Sequence, residues 1–312
     1  EEYLNKKDVY KLCYFRAIMQ KNKMELWQLK QRQSQSLEVK ERLSENRIHG
    51  WYEQNDGKVY VSFSGGKDST VLLHLVRKFY PDVPAVFVDT GLEYPEVKSF
   101  VKSIENVTWL RPKIPFHEVI KKYGYPVVSK EQAKAIRICR NPTEKNKVSR
   151  RKYLTGINGK GVYGWIGKLS KKWKKLIDAP FNVSEKCCDI MKKNPIQLYE
   201  KETKATGYVG IMAGDSQMRK ASTLKYGCNI LGKKSRPMLF WFTEDVWDYI
   251  KKYNLKYSKI YDMGESNTGC MFCMFGVHLE KGENRFQRMK TTHPKQYNFC
   301  INTLGCGKVL DA

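Results

Sequence analysis

The stretch that decides the fold is Ser62-Phe63-Ser64-Gly65-Gly66-Lys67-Asp68-Ser69-Thr70. The β-rich run Val59-Tyr60-Val61 precedes it, and a helical pattern that begins with Val71-Leu72-Leu73 follows it. Its glycines allow a tight turn and a close approach of a ligand to the backbone. The N-terminus of the following helix presents N–H groups and the positive end of its dipole to an anion. The stretch therefore predicts a phosphate-binding loop between a strand and a helix.

The side chains of this loop suit phosphate groups. Lys67 adds a positive charge, and the two flanking serines add hydroxyl donors. Asp68 is suited either to orient Lys67 or to hold Mg²⁺. The glycine spacing and the position of the lysine differ from those of the Walker A loop, G-x-x-x-x-G-K-[ST]. The predicted phosphate-binding residues are Ser62, Ser64, Gly65, Gly66, Lys67, Asp68 and Ser69.

Strand and helix patterns alternate along the chain. Further strands are predicted at 85–88, 107–110, 207–212 and 238–241, with helices at 69–79 and 95–104. Such alternation is typical of a parallel sheet covered by helices, which binds ligands at the carboxyl ends of its strands. We predict an α/β fold with a Rossmann-like parallel five-stranded sheet. The expected parts are a helical N-terminal arm (1–55), a nucleotide-binding domain (56–250) and a C-terminal cysteine-containing segment (251–312).

The composition points to a polyanionic partner. The 312 residues carry a formal net charge of +25, which favours nucleic acid or another acidic surface. No apolar run reaches the length of about eighteen residues expected of a transmembrane helix, and no signal peptide is visible, so we expect a cytoplasmic protein without membrane contact. The nine cysteines are odd in number, which favours metal or redox use over a disulfide framework. Partner proteins or a homodimer stay open.

A basic insertion, defined as residues 130–178, interrupts the alternation. Between 130 and 175 it contains fifteen lysines and arginines, opposed only by Glu131 and Glu144. The aromatic residues Tyr153, Tyr163, Trp165 and Trp173 lie among them. Basic residues with aromatics between them suit phosphate contacts and base stacking, and hence contact with DNA or RNA. The alternative is a solvated loop whose aromatics pack on the domain.

The phosphate loop, in this context, resembles the PP-loop of the ATP pyrophosphatase and phosphoadenosine phosphosulfate (PAPS) reductase superfamily, the adenine nucleotide α-hydrolases. Members act at the α-phosphate of an adenine nucleotide. Further segments are similar to those of PAPS and adenosine phosphosulfate (APS) reductases, and they lie at 88–96, 210–219, 241–250 and 255–262. The resemblance spans about residues 60–288 and excludes the arm and the basic insertion.

This resemblance implies further nucleotide-binding residues. Asp89, Thr90 and Gly91 belong to a segment similar to the family's "DTG…PE" segment, which lines the nucleotide site. Asp215 and Arg219 belong to a segment similar to "GxRxxES…R", and they are expected to contact the nucleotide. The match is imperfect, because Met212 and Asp215 stand where the family usually has Arg and Glu.

Four cysteines form a CC pair and a CxxC pair, namely Cys187, Cys188, Cys270 and Cys273. A CxxC pair is compatible with half of a zinc site. Adjacent cysteines, however, crowd one tetrahedral ion, whereas the separate corners of a [4Fe–4S] cubane accept four thiolates. The pattern also resembles the cluster-binding APS reductases, which implies that these four cysteines are the cluster ligands.

Two features near the C-terminus bear on the reacting group. Residues 282–288 are similar to a run that follows the cluster in APS reductases, and the similarity implies that Arg285 and Arg288 face the phosphate and sulfate end of the substrate. Arginine suits this because its planar fork binds oxyanions. The alternative is a pair of surface salt bridges. The reductases' catalytic motif "ECGLH" is missing, and Cys306 in Leu304-Gly305-Cys306-Gly307-Lys308 is the nearest nucleophile.

Three functions stay open. In the first, the loop binds ATP with Mg²⁺, and the enzyme transfers sulfur to a nucleic acid while it releases AMP and pyrophosphate. Lys67 favours it, because a lysine suits β- and γ-phosphates, and the iron–sulfur sulfurtransferases of bacterial DNA phosphorothioate systems are similar. In the second, the protein is an APS or PAPS reductase that releases sulfite and AMP or PAP, with Cys306 as the nearest candidate nucleophile. The candidate catalytic residues of the chain are Lys67, Asp68, Arg285, Arg288 and Cys306. The third is a non-catalytic nucleic-acid-binding accessory protein.

Overall fold

The computed structural model describes residues 24–165, 167–230 and 232–312. These residues fall into two compact units. The first unit consists of 24–87, Val97–Trp109 and Tyr199–Ser258. The second consists of Val88–Glu96, Leu110–Leu198 and Lys259–Ala312. Within the described ranges, no helix has both the length and the apolar character needed to cross a bilayer.

The secondary structure alternates in the way the sequence predicts. The strands of the described residues are β1 (Val59–Ser62), β2 (Ala85–Val88), β3 (Val107–Leu110), β4 (Val127–Val128), β5 (Thr206–Val209), β6 (Asn229–Ile230), β7 (Lys234–Ser235) and β8 (Met274–Phe275). The α-helices are α1 (Leu26–Gln33), α2 (Leu37–Gln54), α3 (Lys67–Arg77), α4 (Pro95–Lys102), α5 (Phe116–Tyr123), α6 (Lys130–Arg140), α7 (Lys147–Thr155), α8 (Asn194–Thr203), α9 (Gln217–Tyr226), α10 (Thr243–Lys252), α11 (Arg285–Thr292), α12 (Pro294–Asn298) and α13 (Cys306–Leu310).

The main sheet has the strand order β3-β2-β1-β5-β7-β6. Strand β1 pairs in parallel with both β2 and β5, and β5 pairs in parallel with β7. The prediction of an α/β fold with a mostly parallel sheet is therefore confirmed. The described sheet also has a strand beyond the predicted five, because β6 runs antiparallel to β7 at the edge.

The centre of this sheet fixes the start of the phosphate loop. Strand β1 is buried, with Val61 fully inaccessible, because strands lie on both of its sides. Its last residue, Ser62, is in register with Val86 of β2 and Val209 of β5. Helix α3 follows at once and buries its apolar residues Val71, Leu72, Leu75 and Val76 completely. The loop is thus held between a buried strand and a buried helix.

One predicted strand is wrong. Residues 238–241 form a turn rather than a strand, and β7 supplies the parallel strand next to β5. The turn is nevertheless buried, and the Trp241 indole N–H donates to Ser44 Oγ at 2.9 Å. A short apolar run indicates burial but does not distinguish a strand from another buried conformation.

The helical pattern of the N-terminal arm is present as α1 and α2, and residues 1–23 lie outside the described residues. Helix α2 contacts α3 and α10. Its buried Lys40 donates to Asp245 Oδ2 of α10 at 2.6 Å. Within the first unit, this arm therefore packs against the helices that cover the sheet.

The second unit contains the basic insertion and the cysteine segments. A small parallel sheet pairs β4 with β8. Arg137 of α6 forms a two-pronged ion pair with Glu185, with nitrogen–oxygen distances of 2.9 and 2.7 Å. Arg140 donates to the carbonyl oxygens of Ala179 and Phe181. These two arginines of the basic insertion therefore hold the unit's own chain together.

Candidate functional site

The phosphate loop takes its shape from a glycine. Gly65 has φ = +71°, a conformation that side chains with a Cβ atom disfavour. A Cβ atom there would lie 2.7 Å from Val101 Cγ2 and 2.8 Å from Val97 Cγ1. The turn is closed by Ser69, whose Oγ accepts from the Ser64 N–H at 3.2 Å and donates to the Gly66 carbonyl at 2.9 Å.

We expect Gly65→Ala to destabilise the first unit by roughly 2–4 kcal/mol, since it combines left-handed backbone strain with a clash against two valines. Gly91→Ala is the matched control, because Gly91 has φ = +77° but a Cβ atom there would meet none of the described residues within 4 Å. In that control, left-handed backbone strain alone should lower the free energy of unfolding, by about 1–2 kcal/mol. Urea denaturation measures both, and equal losses would contradict the role of close packing.

Lys67 and Asp68 open helix α3 directly after Gly66, which is the N-cap and provides no side chain. Lys67 is only 4% exposed, and its Nζ lies 3.4 Å from Asp68 Oδ1. This is an ion-pair contact rather than a directed hydrogen bond, and within the described residues Asp68 Oδ1 is buried without a hydrogen-bond donor. A buried carboxylate oxygen with remaining acceptor capacity suits a hard cation such as Mg²⁺.

Burial raises the pKa of Asp68, and the Lys67 charge opposes the effect only in part. The folded pKa therefore lies above the unfolded one, so this group's stabilisation is present at low pH and is lost as the pH rises through the folded pKa. Asp68→Asn is expected to raise the free energy of unfolding at neutral pH, with a gain that disappears towards pH ~4. Denaturant titrations across this range measure it, and a less stable variant at neutral pH would contradict the argument.

The end of β5 lies beside the loop. A Cβ atom on Gly210 would be 3.2 Å from the Asp68 carbonyl oxygen, so the two backbones are in close contact. Asp215 accepts from the Met212 N–H at 3.1 Å and forms an ion pair with Arg219. The charges of Asp215 and Arg219 both act on Asp68. The structure thus brings these predicted nucleotide residues together with the phosphate loop.

Met212 stands where the family usually has an arginine. Its side chain is 2% exposed and belongs to the interior of the unit. A buried thioether has no charge with which to bind a phosphate. The positive charge that this segment places near Asp68 comes instead from Arg219.

The segment with Asp89, Thr90 and Gly91 lies in the second unit and is locked by local hydrogen bonds. Asp89 Oδ1 accepts from the Gly91 N–H at 3.1 Å. Glu93 accepts from the Thr90 N–H at 2.9 Å and from its hydroxyl at 2.8 Å. These contacts hold a compact, buried turn in one conformation.

The four predicted cluster cysteines come together within the second unit. Burial raises the pKa of Cys187, and the neighbouring Cys188, Cys270 and Cys273 raise it further. Cys270 and Cys273 are joined by a turn in which the Cys273 N–H donates to the Cys270 carbonyl at 3.1 Å. Across the described ranges, no three His, Cys, Asp or Glu side chains are placed to hold one metal ion.

A lysine that the sequence analysis missed lies among these thiols. The Lys192 ammonium lies 3.8 Å from Glu93 Oε1 and is close enough to Cys270 for the two groups to affect each other's pKa. Burial alone would lower the pKa of Lys192, but Cys270 and Glu93 together raise it. Lys192 therefore places a positive charge beside this group of cysteines. No motif marked it, although it follows the CC pair by less than two helical turns.

Arg285 and Arg288 lie on a cavity of about 340 Å³ that Tyr94 and Cys270 also line. Both are already held by carboxylates that the sequence analysis did not single out. Glu280 accepts from Arg285 Nε at 2.6 Å, and Arg285 also donates to the Cys273 carbonyl. Glu265 binds Arg288 in a two-pronged way at 2.8 and 2.9 Å.

Glu265 and Glu280 offset the charges of the two arginines, and Lys281 adds a further basic side chain to the cavity lining. Burial raises the pKa of Tyr94 to about 12, and the Glu265 charge adds to the effect. An oxyanion that entered here would have to compete with Glu265 and Glu280 for the guanidinium groups. The predicted approach of these arginines to a substrate stays a prediction.

Cys306 is fully buried, and its thiol is hydrogen-bonded to that of Cys300. This hydrogen bond and burial raise the pKa of Cys300. Nucleophilic cysteines are usually accessible to their substrate. The surroundings of Cys306 therefore do not favour the predicted nucleophile role in this conformation.

Comparison with known proteins identifies a matching family. The family model described as the phosphoadenosine phosphosulfate reductase domain matches residues 58–158 and 162–276. An uncharacterized protein of Methanocaldococcus jannaschii is 26% identical over 276 residues, which cover 86% of this chain and 53% of that protein. The match to a second uncharacterized protein from that organism covers 43% of that protein's length. The chain thus spans about half the length of these relatives.

Two further similarities concern proteins of named activity. Adenosine 5′-phosphosulfate reductase of Bacillus cereus is 24% identical over 235 residues, which cover 75% of this chain and 80% of that protein. The crystal structure of phosphoadenylyl-sulfate reductase from Candida auris, in a phosphate complex, is 16% identical with a TM-score of 0.42. It covers 76% of this chain and 96% of its own.

Proposed function

Because the chain belongs to the phosphoadenosine phosphosulfate reductase domain family, we propose that it is a PP-loop enzyme that uses ATP and Mg²⁺ to transfer sulfur to a nucleic acid. An acceptor oxygen attacks the α-phosphate of ATP and pyrophosphate leaves. Hydrosulfide then displaces AMP from the adenylated acceptor. The observation that carries this choice is the buried Lys67 at the start of α3. A lysine there is suited to β- and γ-phosphates, which APS and PAPS lack.

The loop residues have distinct roles in this reaction. Gly65 and Gly66 let the phosphates approach the backbone at the helix N-terminus. Lys67 stabilises the charge on the leaving pyrophosphate, and Asp68 provides an oxygen for Mg²⁺. Asp215 holds Arg219 next to Asp68, which keeps a second cation near the phosphates. Asp89, Thr90 and Gly91 are proposed to line the adenosine side.

The four convergent cysteines are proposed to bind a [4Fe–4S] cluster. Their donor set fits, because four thiols interact with one another and Lys192 offsets the charge that four thiolates carry. Such a cluster supplies electron-transfer or sulfur-transfer chemistry when bound. Cys187 is buried, whereas Cys188, Cys270 and Cys273 are partly accessible, and Lys192 places a positive charge near Cys270.

The charge of the chain supports a nucleic-acid acceptor. The net charge is +25, and the exposed lysines of the basic insertion include Lys145, Lys147, Lys171 and Lys172. Phosphate contacts by such lysines release counterions, so the affinity should fall steeply with salt. We propose a cytoplasmic location for this reaction.

Reduction of APS or PAPS is the second candidate. The cavity beside Cys270 favours it, since Arg285 and Arg288 could turn from their carboxylates to a sulfate group. It requires a sulfur nucleophile, and Cys306 would have to become exposed before it could attack. Its thiolate would attack the sulfate sulfur and displace AMP or PAP, and a thiol reductant would then release sulfite and form a disulfide with the cysteine.

The test is made anaerobically on cluster-loaded protein. It is incubated with ATP and Mg²⁺, and separately with APS and with PAPS in the presence of a thiol, and the products are separated by chromatography. In the ATP assay, hydrosulfide and a nucleic acid are supplied as co-substrates, and formation of AMP, pyrophosphate and a thiolated nucleic acid supports the proposal. Sulfite from APS or PAPS would establish reduction instead. No turnover, together with salt-sensitive binding of nucleic acid, would favour the non-catalytic accessory role.

A further inference from the structure

We propose that the basic insertion carries a stacking platform for an unpaired base of a single-stranded nucleic acid. The platform consists of Tyr163 and Trp165, which residues 156–165 (here named the aromatic hairpin) present, together with Lys168, which follows the hairpin. The inference rests on the proposed function in one respect, since it specifies which form of the nucleic-acid acceptor the chain binds.

The aromatic hairpin is a built structure. Gly156 ends helix α7 in the left-handed conformation, and its carbonyl accepts from the Gly164 N–H at 2.9 Å. Asn158 closes the turn, because its N–H donates to the Val162 carbonyl and its side-chain oxygen accepts from the Lys160 and Val162 N–H groups. A Cβ atom on Gly156 would lie 2.7 Å from the Tyr163 ring, so the ring packs directly on the backbone.

The aromatic side chains of this hairpin face solvent. Trp165 is 76% exposed and Tyr163 is 49% exposed. Their ring centroids are 5.6 Å apart in an edge-to-face arrangement. Lys168 Nζ lies 5.1 Å from the Tyr163 ring centroid and 5.2 Å from that of Trp165. The alternative that these aromatics pack on the domain is therefore wrong for Trp165, which keeps most of its ring surface in water.

Hydrogen bonds to helix α6 anchor the backbone at Lys168. The Lys168 carbonyl accepts from Gln132 Nε2 of helix α6 at 3.1 Å, and the next residue but one donates its N–H to Gln132 Oε1. The ammonium contacts the Tyr163 hydroxyl at 3.4 Å. A cation is thus fixed beside two exposed rings, which is the pairing that binds a phosphate next to a stacked base.

Two observations favour a single strand over a duplex or an apolar protein partner. The rings present faces rather than a donor and acceptor pattern, and a base offers its own face only when it is unstacked. The surrounding insertion has fifteen basic residues against two acidic ones between 130 and 175. Such a field attracts a polyanion and repels a cationic surface.

The test measures binding of fluorescently labelled single-stranded DNA, single-stranded RNA and duplex DNA by anisotropy, on the full chain without nucleotide. Trp165→Ala is compared with Trp27→Ala, whose indole is 63% exposed on α1 of the first unit. We expect Trp165→Ala to weaken single-strand binding by about five-fold or more, and Trp27→Ala to leave it unchanged. Whichever of DNA and RNA binds more tightly identifies the source of the strand.

Two further arms sharpen the result. Lys168→Gln should reduce the slope of log affinity against log salt by about 0.7 for a single strand. Duplex binding should be weaker and insensitive to Trp165→Ala. Equal effects of the two tryptophan variants, or an equal loss for duplex and single strand, would overturn the inference.

The two proposals fail separately. If ATP yields AMP, pyrophosphate and thiolated nucleic acid while Trp165→Ala changes no affinity, only the platform is wrong. If Trp165→Ala weakens single-strand binding but no nucleotide is turned over, the platform stands and the sulfur-transfer reaction is wrong.

Discussion

Cys270→Ser is expected to abolish binding of the proposed iron–sulfur cluster. Cys270 is the thiol that Lys192 contacts, and it interacts with Cys187 and Cys188 as well. Serine keeps the shape but replaces a soft thiolate by a poor iron ligand. After anaerobic reconstitution, iron should fall from about four atoms per chain to below about one, and the broad visible absorbance should disappear.

Cys139→Ser is the matched control for this experiment. Cys139 is also free and buried, but it lies on α6 and belongs to no cysteine pair. Its substitution should leave the iron content unchanged. Cys273→Ser provides a second test should Cys270→Ser fail to fold. Full iron retention by both CxxC variants would exclude this pair as ligands.

Lys67→Ala is expected to lower nucleotide turnover by about 100-fold or more, the typical cost of removing a preorganised group that stabilises developing charge. Lys67 is buried at the N-terminus of α3 next to Asp68, so its substitution by alanine removes the positive charge from this buried position. The initial rate of AMP and pyrophosphate formation from ATP measures the effect. Nucleic-acid binding in the second unit should persist.

Two variants separate charge from folding. Lys67→Met keeps most of the side-chain volume without the charge, and it should lose turnover to the same extent while it stays folded. Lys102→Ala, at the exposed end of α4, removes the same charge elsewhere and should be neutral. Wild-type turnover by Lys67→Met would show that the loop does not act through this lysine.

The sequence predicted the part of the fold that local patterns specify. The β1–loop–α3 unit combines a buried strand, glycines and a helix with a strong apolar face, and each of these has its own signature. The edge of the sheet has no such sequence signature, because β7 is only Lys234–Ser235 and has no apolar pattern. The buried run at 238–241 competed for that assignment, since burial alone made it look like a strand.

The candidate site was predictable only where its residues lie in motifs. The CC and CxxC cysteines lie near enough to affect one another's pKa, and their role as cluster ligands stays a prediction. Lys192, Glu265 and Glu280 were missed, because their importance comes from partners that no local motif identifies. Glu265, for example, binds Arg288 across 23 positions. Isolated charges in a chain with 57 lysines and arginines give no signal of their own.

The short edge of the main sheet affects how the protein behaves at high concentration. Strand β6 has two residues and pairs antiparallel with an equally short β7. An edge of this length leaves few main-chain groups on which the strand of a second molecule could grow, and Lys233 and Lys234 lie beside it. Aggregation by sheet extension is therefore disfavoured on this side, and a homodimer is not expected to form by continuing the sheet past β6.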